Sequence, residues 1–296
     1  MFERKVITRI KGGLGNQLFC YSAARRLALA NNAELVIDDV TGFVRDRDSF
    51  RQYMLDRFSI STRKATPAER LDPFERYRRG LMKWLSRGKP FAERRYLEQE
   101  GRDFDERLLA VKVQGTLYLD GYWQSEGYFK DVEQTIREDL RIPPPTDGLN
   151  QRMAGEIRGS NAVALHVRWV DAPGSTGTHN LSVDYYRRAI ALMDRQIESP
   201  HYFLFSDYPE DACAKLSLSK GQVTCVSHNR GDENAYADLW LMTLCRHFII
   251  ANSTFSWWGA WLGEDGSKIV CTPDLIKHVR GAWGFKGLIP DGWNKV

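Results

Sequence analysis

Long hydrophobic runs are missing from this sequence. No stretch of its 296 residues reaches the roughly 20 apolar residues needed to span a bilayer. The opening Met1-Phe2-Glu3-Arg4-Lys5-Val6-Ile7-Thr8-Arg9-Ile10 has no apolar signal region. A cytoplasmic protein is expected, and a product destined for a cell surface would need a separate transporter. Charge of one sign is also scarce: a formal net charge of +4 is too small an excess to imply nucleic acid as a partner. Metal-ligand spacing is absent. The five cysteines (Cys20, Cys213, Cys225, Cys245, Cys271) show no CxxC, and the histidines show no HExxH. The cysteines read as reduced core thiols. Asp46-Arg47-Asp48 and Asp103-Phe104-Asp105 fit a loose Asp-x-Asp pattern, but neither follows an apolar strand and solvated charges are the simpler reading. There is no GxGxxG, no phosphate loop with Lys-Ser/Thr, no repeat and no low-complexity tract.

What is present suits a soluble α/β enzyme of two medium domains, since 43% apolar residues over this length can bury two cores. Val6 to Ile10 reads as a strand, and Leu18, Phe19, Ala23, Leu27 and Ala30 fall at helical intervals after it. Leu35 to Asp38 supplies a second strand, completing a βαβ opening of the kind that builds parallel sheets. Leu117 to Leu119 is a further strand, followed by a helix lined by Phe129, Val132, Ile136 and Leu140. The proline-rich Ile142-Pro143-Pro144-Pro145-Thr146-Asp147-Gly148 then marks a boundary. Beyond it, strands at 163–167, 202–205, 223–226, 248–251 and 269–271 alternate with helices at 183–197 and 233–245. The expected architecture is two doubly wound, Rossmann-like domains facing a cleft, residues 1–145 and 150–296.

The residues that could carry chemistry stand at strand ends. Phe248 to Ala251 runs into Asn252-Ser253-Thr254 and then into the small-and-aromatic Phe255-Ser256-Trp257-Trp258-Gly259-Ala260-Trp261-Leu262. Asn, Ser and Thr favour helix N-termini, whose unsatisfied amides and positive dipole end attract anions. The plainer alternative is a capped core helix whose tryptophans only pack. His166 and Arg168 lie two apart at the end of another strand, so their side chains project to one side, with Asp171 just beyond. An Arg fork matches diphosphate oxygens at any working pH. Asp207 ends a third strand, either as a hydrogen-bond acceptor for a ligand or as an N-cap for the helix from Pro209. Gly12-Gly13-Leu14-Gly15-Asn16-Gln17 follows a strand and precedes a helix, where the glycines serve turn geometry or close approach of a ligand. Between Arg76 and Arg95, eight cations surround Leu81, Trp84 and Leu85. This is a solvated helix, or one that grazes an anionic membrane carrying lipid-linked substrate.

In order along the chain, Gly12 to Phe19, His166-Val167-Arg168, Phe203-Leu204-Phe205-Ser206-Asp207 and Ala251 to Leu262 resemble the α-1,2-fucosyltransferase family of bacteria and animals. The resemblance implies a GT-B arrangement with GDP-β-L-fucose held by the C-terminal domain and a galactoside-type glycan acceptor by the N-terminal one. It further implies inverting transfer that needs neither metal nor cofactor, in polysaccharide biosynthesis at the inner membrane face or in the cytoplasm. By position, Arg168 holds the pyrophosphate, His166 and Asp207 the donor nucleotide, and Ser253, Thr254, Phe255 and Ser256 the phosphates. Asn16 lies near the reaction centre, and Asp171 is a candidate base or a residue that orients Arg168. The family pattern His-x-Arg-Arg-Gly-Asp-Tyr stands here as His166-Val167-Arg168-Trp169-Val170-Asp171-Ala172, and Asp207-Tyr208 replaces two aspartates. These departures bear on donor and acceptor rather than on fold. Two rivals keep the same residues in other roles: a glycoside hydrolase with Asp171 and Asp207 as its carboxylate pair, and a non-catalytic module that binds nucleotide or stacks sugars on its tryptophans.

Overall fold

The computed structural model describes residues 4–44, 50–169, 180–216, 218–219, 221–263, 266–277 and 282–296. The chain forms two compact units. One comprises Met1–Arg141 with Lys286–Leu288, the other Ile142–Phe285 with Ile289–Val296.

The first unit is built on β1 (Lys5–Arg9), α1 (Leu14–Ala30), β2 (Glu34–Asp38), α2 (Glu75–Arg87), β3 (Tyr96–Glu98), β4 (Thr116–Asp120) and α3 (Glu133–Asp139), with short 3-10 turns between them. Its sheet runs β2-β1-β4-β3, all parallel, with Ile7 level with Val36 on one side and Tyr118 on the other. Val6, Ile7, Val36 and Ile37 are buried, which is why these strands read as continuous apolar runs rather than alternating ones. β3 carries little hydrophobic signal in three residues and is held in the sheet by its pairing with β4. Lys286–Leu288 joins this unit through backbone: the Phe104 amide donates to the Lys286 carbonyl at 2.8 Å.

The second unit contains α4 (Gly148–Arg158), β5 (Asn161–Val167), α5 (Val183–Gln196), β6 (Pro200–Ser206), α6 (Pro209–Leu216), β7 (Val223–Val226), α7 (Ala235–Thr243), β8 (His247–Ile249), α8 (Thr254–Leu262), β9 (Val270–Thr272) and β10 (Asn294–Lys295). Its parallel sheet is ordered β10-β9-β8-β5-β6-β7. Counted along the chain that is 3-2-1-4-5-6 read from the β7 edge, the doubly wound order of dinucleotide-binding folds. α5 presents Tyr186, Ala189, Ile190 and Met193 to a core shared with Val163, Leu165 and Leu204. α4, unsuspected from apolar spacing, is set by Asp147, whose carboxylate accepts from the amides of Leu149 (3.1 Å) and Asn150 (2.9 Å).

The cysteine reading requires one correction. Cys20, Cys245 and Cys271 are buried free thiols, but Cys213 on α6 is joined to Cys225 on β7. The two stand twelve positions apart in sequence, and only the packing of α6 beside β7 brings them together.

Candidate functional site

In the second unit the strand order reverses between β5 and β8, and ligands of open α/β sheets bind outside the carboxyl ends of strands at such a point. Leu165 is level with Ile249 across this pair. Residues 168 and 252, each three further on, therefore leave the sheet at the same rim. On the other side of β5, Val167 is level with Ser206, which brings Arg168 beside Asp207. Arg168 Nε lies 3.3 Å from Asp207 Oδ2, and both side chains keep solvent access, 35% and 48%. A guanidinium steered by a carboxylate but still open can receive an anion. Asp207 thus orients Arg168, one of the two roles read for Asp171; Asp171 itself, like Asp46 and Asp48, lies outside the described residues.

His166 sits one pleat below Arg168 and is buried. Its ring packs 5.7 Å from that of Phe255, and its Nδ1 has no hydrogen-bond partner. Burial, aided by the Arg168 charge, pushes its pKa down to about 3, so the ring is a neutral imidazole. The α8 terminus faces the same pair of strands. Ser253 is its N-cap in extended conformation (φ −140°, ψ 125°), without a capping hydrogen bond from its side chain. The Trp257 amide closes the first turn onto the Ser253 carbonyl at 3.0 Å. The Phe255 and Ser256 amides precede that bond and have no acceptor among the described residues. The anion-seat and packing readings of this segment hold together. Its amide end is open, while Trp257, Trp258 and Trp261 are buried and pack on one another with centroids 5.0–6.1 Å apart. Tryptophans so buried offer no face to a sugar.

One residue of this region escaped the sequence reading. Asp238, on α7, receives a hydrogen bond from Asn229 Nδ2 at 2.8 Å. Burial pushes its pKa up to about 7, against the Asn229 hydrogen bond and with the help of the Asp207 charge. Its place inside a helical apolar run, Leu239-Trp240-Leu241-Met242, disguised it as a routine surface position.

In the first unit the order reverses between β1 and β4, and the Gly-rich loop leaves β1 at that point. Gly12 has φ +75°, and a Cβ there would meet Asn16 Nδ2 at 2.9 Å, so turn geometry and close packing both require glycine. Gln17 pins the loop: its Nε2 donates to the carbonyls of Gly12 (2.9 Å) and Gln52 (2.7 Å), and its Oε1 accepts from the Met54 amide. Asn16 is oriented by Gln124, whose Nε2 donates to Asn16 Oδ1 at 2.7 Å. Below lies Asp120, buried between Lys11 (2.7 Å), Arg9 (3.4 Å) and the Tyr96 hydroxyl (2.7 Å). Burial opposes its ionisation, but the Lys11 and Arg9 charges hold its pKa well below the usual carboxylate range. Neither Gln17, Gln124 nor Asp120 announces itself in sequence, because each acts through partners 5 to 111 positions away.

Among the described residues no group of three or more His, Cys, Asp or Glu is arranged to hold a metal. Asp103 and Asp105 are engaged in structural contacts: Asp103 Oδ1 accepts from the Lys286 amide at 3.0 Å, and Asp105 caps a 3-10 turn and pairs with Arg107.

Known proteins are similar to this chain in sequence and in fold. An Escherichia coli α-1,2-colitosyltransferase is 26% identical over 277 residues, covering 90% of this chain and 91% of that protein. The O-antigen biosynthesis glycosyltransferase WbnK of E. coli is 29% identical over 289 residues, 89% and 92% of the two chains. Among solved structures, a variant of Arabidopsis thaliana FUT1 in complex with GDP superposes with a TM-score of 0.54 at 14% identity, covering 92% of this chain and 71% of the other. The Bradyrhizobium fucosyltransferase NodZ gives 0.51 at 16% identity, covering 88% and 92%. These two likenesses establish the fold, an α/β architecture with two parallel-sheet domains. The profile of glycosyl transferase family 11 matches residues 5–281, nearly the whole chain, and the protein belongs to that family.

Proposed function

We propose that this glycosyltransferase moves L-fucose from GDP-β-L-fucose to a hydroxyl of a galactoside-type glycan, forming an α-1,2 linkage with inversion and without a metal. The observation that carries the reading is the convergence of Arg168 and the open α8 terminus on adjacent strand ends. As the C1–O bond of the donor breaks, negative charge grows on the departing diphosphate. A guanidinium and the positive end of a helix meet that charge where other enzymes use a cation. Neutral His166, with an unpartnered Nδ1, and Asp207 complete the nucleotide side. Asn16 serves the acceptor side and Asp171 is the candidate base. On this reading the reaction takes place in the cytoplasm or peripherally at the inner membrane face.

The test is release of GDP from GDP-fucose with a panel of β-galactosides. Arg168→Ala is expected to cost roughly a hundredfold or more in rate, the scale of losing one charge-stabilising donor. The wild type should keep its rate in EDTA. Strict metal dependence, or a variant with unchanged turnover, would refute the assignment. A related donor is the second reading, favoured by the colitosyltransferase relative and by the altered segment after Arg168. Faster turnover with a colitosyl than with a fucosyl donor would select it. Tight GDP binding with no turnover on any acceptor would leave a binding module instead.

A further inference from the structure

Helix α2 faces the wrong way for a globular protein. At about 100° per residue, Tyr77, Leu81, Trp84 and Leu85 fall in one arc of about 100°, the apolar stripe that ordinarily seeks the core. Here it meets solvent. Tyr77 is 75% exposed, Trp84 70%, Leu81 56% and Leu85 52%, and Phe74, which precedes the helix, is 71% exposed. Five of the twelve large hydrophobic side chains exposed among the described residues therefore sit in a segment of twelve residues. The face turned inward is polar. Arg79 Nη2 donates to Thr41 Oγ1 at 2.8 Å and lies 3.5 Å from Asp38, Lys83 reaches Glu98 (2.5 Å) and Asp120 (3.5 Å), and Ser86 Oγ accepts from the Tyr96 amide at 3.2 Å. These contacts clamp the helix to its unit by its charged side and leave the aromatic side outward.

The borders of the stripe are cationic. Arg76 and Arg87 flank one edge and Arg78 the other, Lys89 follows the C-terminus, and the one acid of the helix, Glu75, starts on the inward side. We propose that α2 lies flat on an anionic lipid bilayer, with Tyr77, Leu81, Trp84 and Leu85 in the headgroup–acyl boundary and the arginines on lipid phosphates. At 1.5 Å per residue its 13 residues extend roughly 20 Å, and no helix among the described residues is long and apolar enough to cross a membrane, so the helix rests on the surface. Tyrosine and tryptophan suit that depth because each has an apolar body and a polar tip. The charges argue against a second copy as the occupant: Arg87 is offset by Glu98 at 3.3 Å, but a two-fold pairing of this stripe would set Arg76 and Arg78 of the two copies against one another.

Flotation of the full chain with vesicles tests this. Vesicles of phosphatidylglycerol and phosphatidylethanolamine should carry the protein, vesicles of phosphatidylcholine alone should not, and binding should fall as salt rises. Leu81→Glu and Trp84→Glu, both on the exposed face, should each reduce the bound fraction at least tenfold, and Arg76→Glu about fivefold or more. Far-UV circular dichroism, thermal midpoint and turnover of a water-soluble acceptor should be unchanged in all three. No flotation with anionic vesicles, or flotation indifferent to these substitutions, overturns the proposal. So does sedimentation equilibrium that shows a dimer without vesicles, dispersed by Leu81→Glu, because the face would then belong to a second copy.

Discussion

At the scale of single residues, two titratable groups of the second unit, buried His166 and half-buried Asp238, pull stability in opposite directions with pH. His166 ordinarily titrates near 6.5 but near 3 in the fold, so the unfolded chain binds a proton that the native state refuses. Its contribution is complete above pH 6.5 and is lost as pH falls toward 3. Asp238 ordinarily titrates near 3.8 but near 7 in the fold, so the native state keeps a proton that the unfolded chain releases. Its contribution is complete below pH 3.8 and is lost as pH rises through 7. Between pH 3.8 and 6.5 the slopes oppose each other, each with a limit of ~1.4 kcal/mol per pH unit. Urea unfolding across this window should show that His166→Gln makes stability fall more steeply with rising pH than in the wild type. Asp238→Asn should make it rise more steeply. Parallel profiles for wild type and either variant would remove that group from the account. His166 was legible in sequence because it ends an apolar strand two residues from Arg168. Asp238 was not, because its upward shift comes first from burial by packed segments and then from the Asp207 charge, both supplied by other parts of the chain.

At the scale of elements, strands and helices with strong apolar periodicity were readable, and their ends were not. The helix expected over 233–245 opens instead as a 3-10 turn at Asp232–Asn234 and runs as α7 only to Thr243. The strand expected to reach Ala251 is regular only to Ile249, although the Ile250 amide still donates to the Cys271 carbonyl at 2.9 Å. The Ala251 carbonyl then accepts from the Ser253 amide at 2.8 Å, a tight turn that leads the chain into α8. The packing of α8 on α7 is close: a Cβ on Gly259 would lie 3.1 Å from Met242 Cε and 3.2 Å from Met242 Cβ. Gly259→Val should therefore cost about 1–3 kcal/mol by overpacking, measured by urea unfolding, with Gly259→Ala falling well short of that. Equal stability of the valine variant would mean that the α7–α8 contact is looser than described. Helix α2 shows the converse limit. Its sequence pattern is amphipathic either way round, and only the tertiary clamp by Asp38, Glu98 and Asp120 decides that the polar side turns inward.

At the scale of the whole molecule, each unit has its own parallel sheet and its own core, so a nucleotide held by one should stabilise that one. GDP at a hundred times its dissociation constant should add about 2.7 kcal/mol to the unit that binds it. Hydrogen exchange locates the effect. Amides of Phe255 and Ser256 at the start of α8 should slow on adding GDP, while those of α1 and β1 should not. Protection centred on the Gly12–Gln17 loop instead would move the nucleotide to the other unit.

The amino-acid order by itself determined the α/β class, the parallel strands and the cluster of chemistry at strand ends. Those depend on local apolar periodicity and on residue types suited to helix starts and diphosphates. Tertiary structure alone decided which strands are neighbours and therefore that Arg168, Asp207 and α8 share one rim. It also decided that Cys213 meets Cys225, that Gln124 holds Asn16, and that α2 shows its aromatic face to solvent. Each of these requires segments far apart in the chain to be packed together, and a contact made through space leaves no periodic trace in the sequence on either side of it.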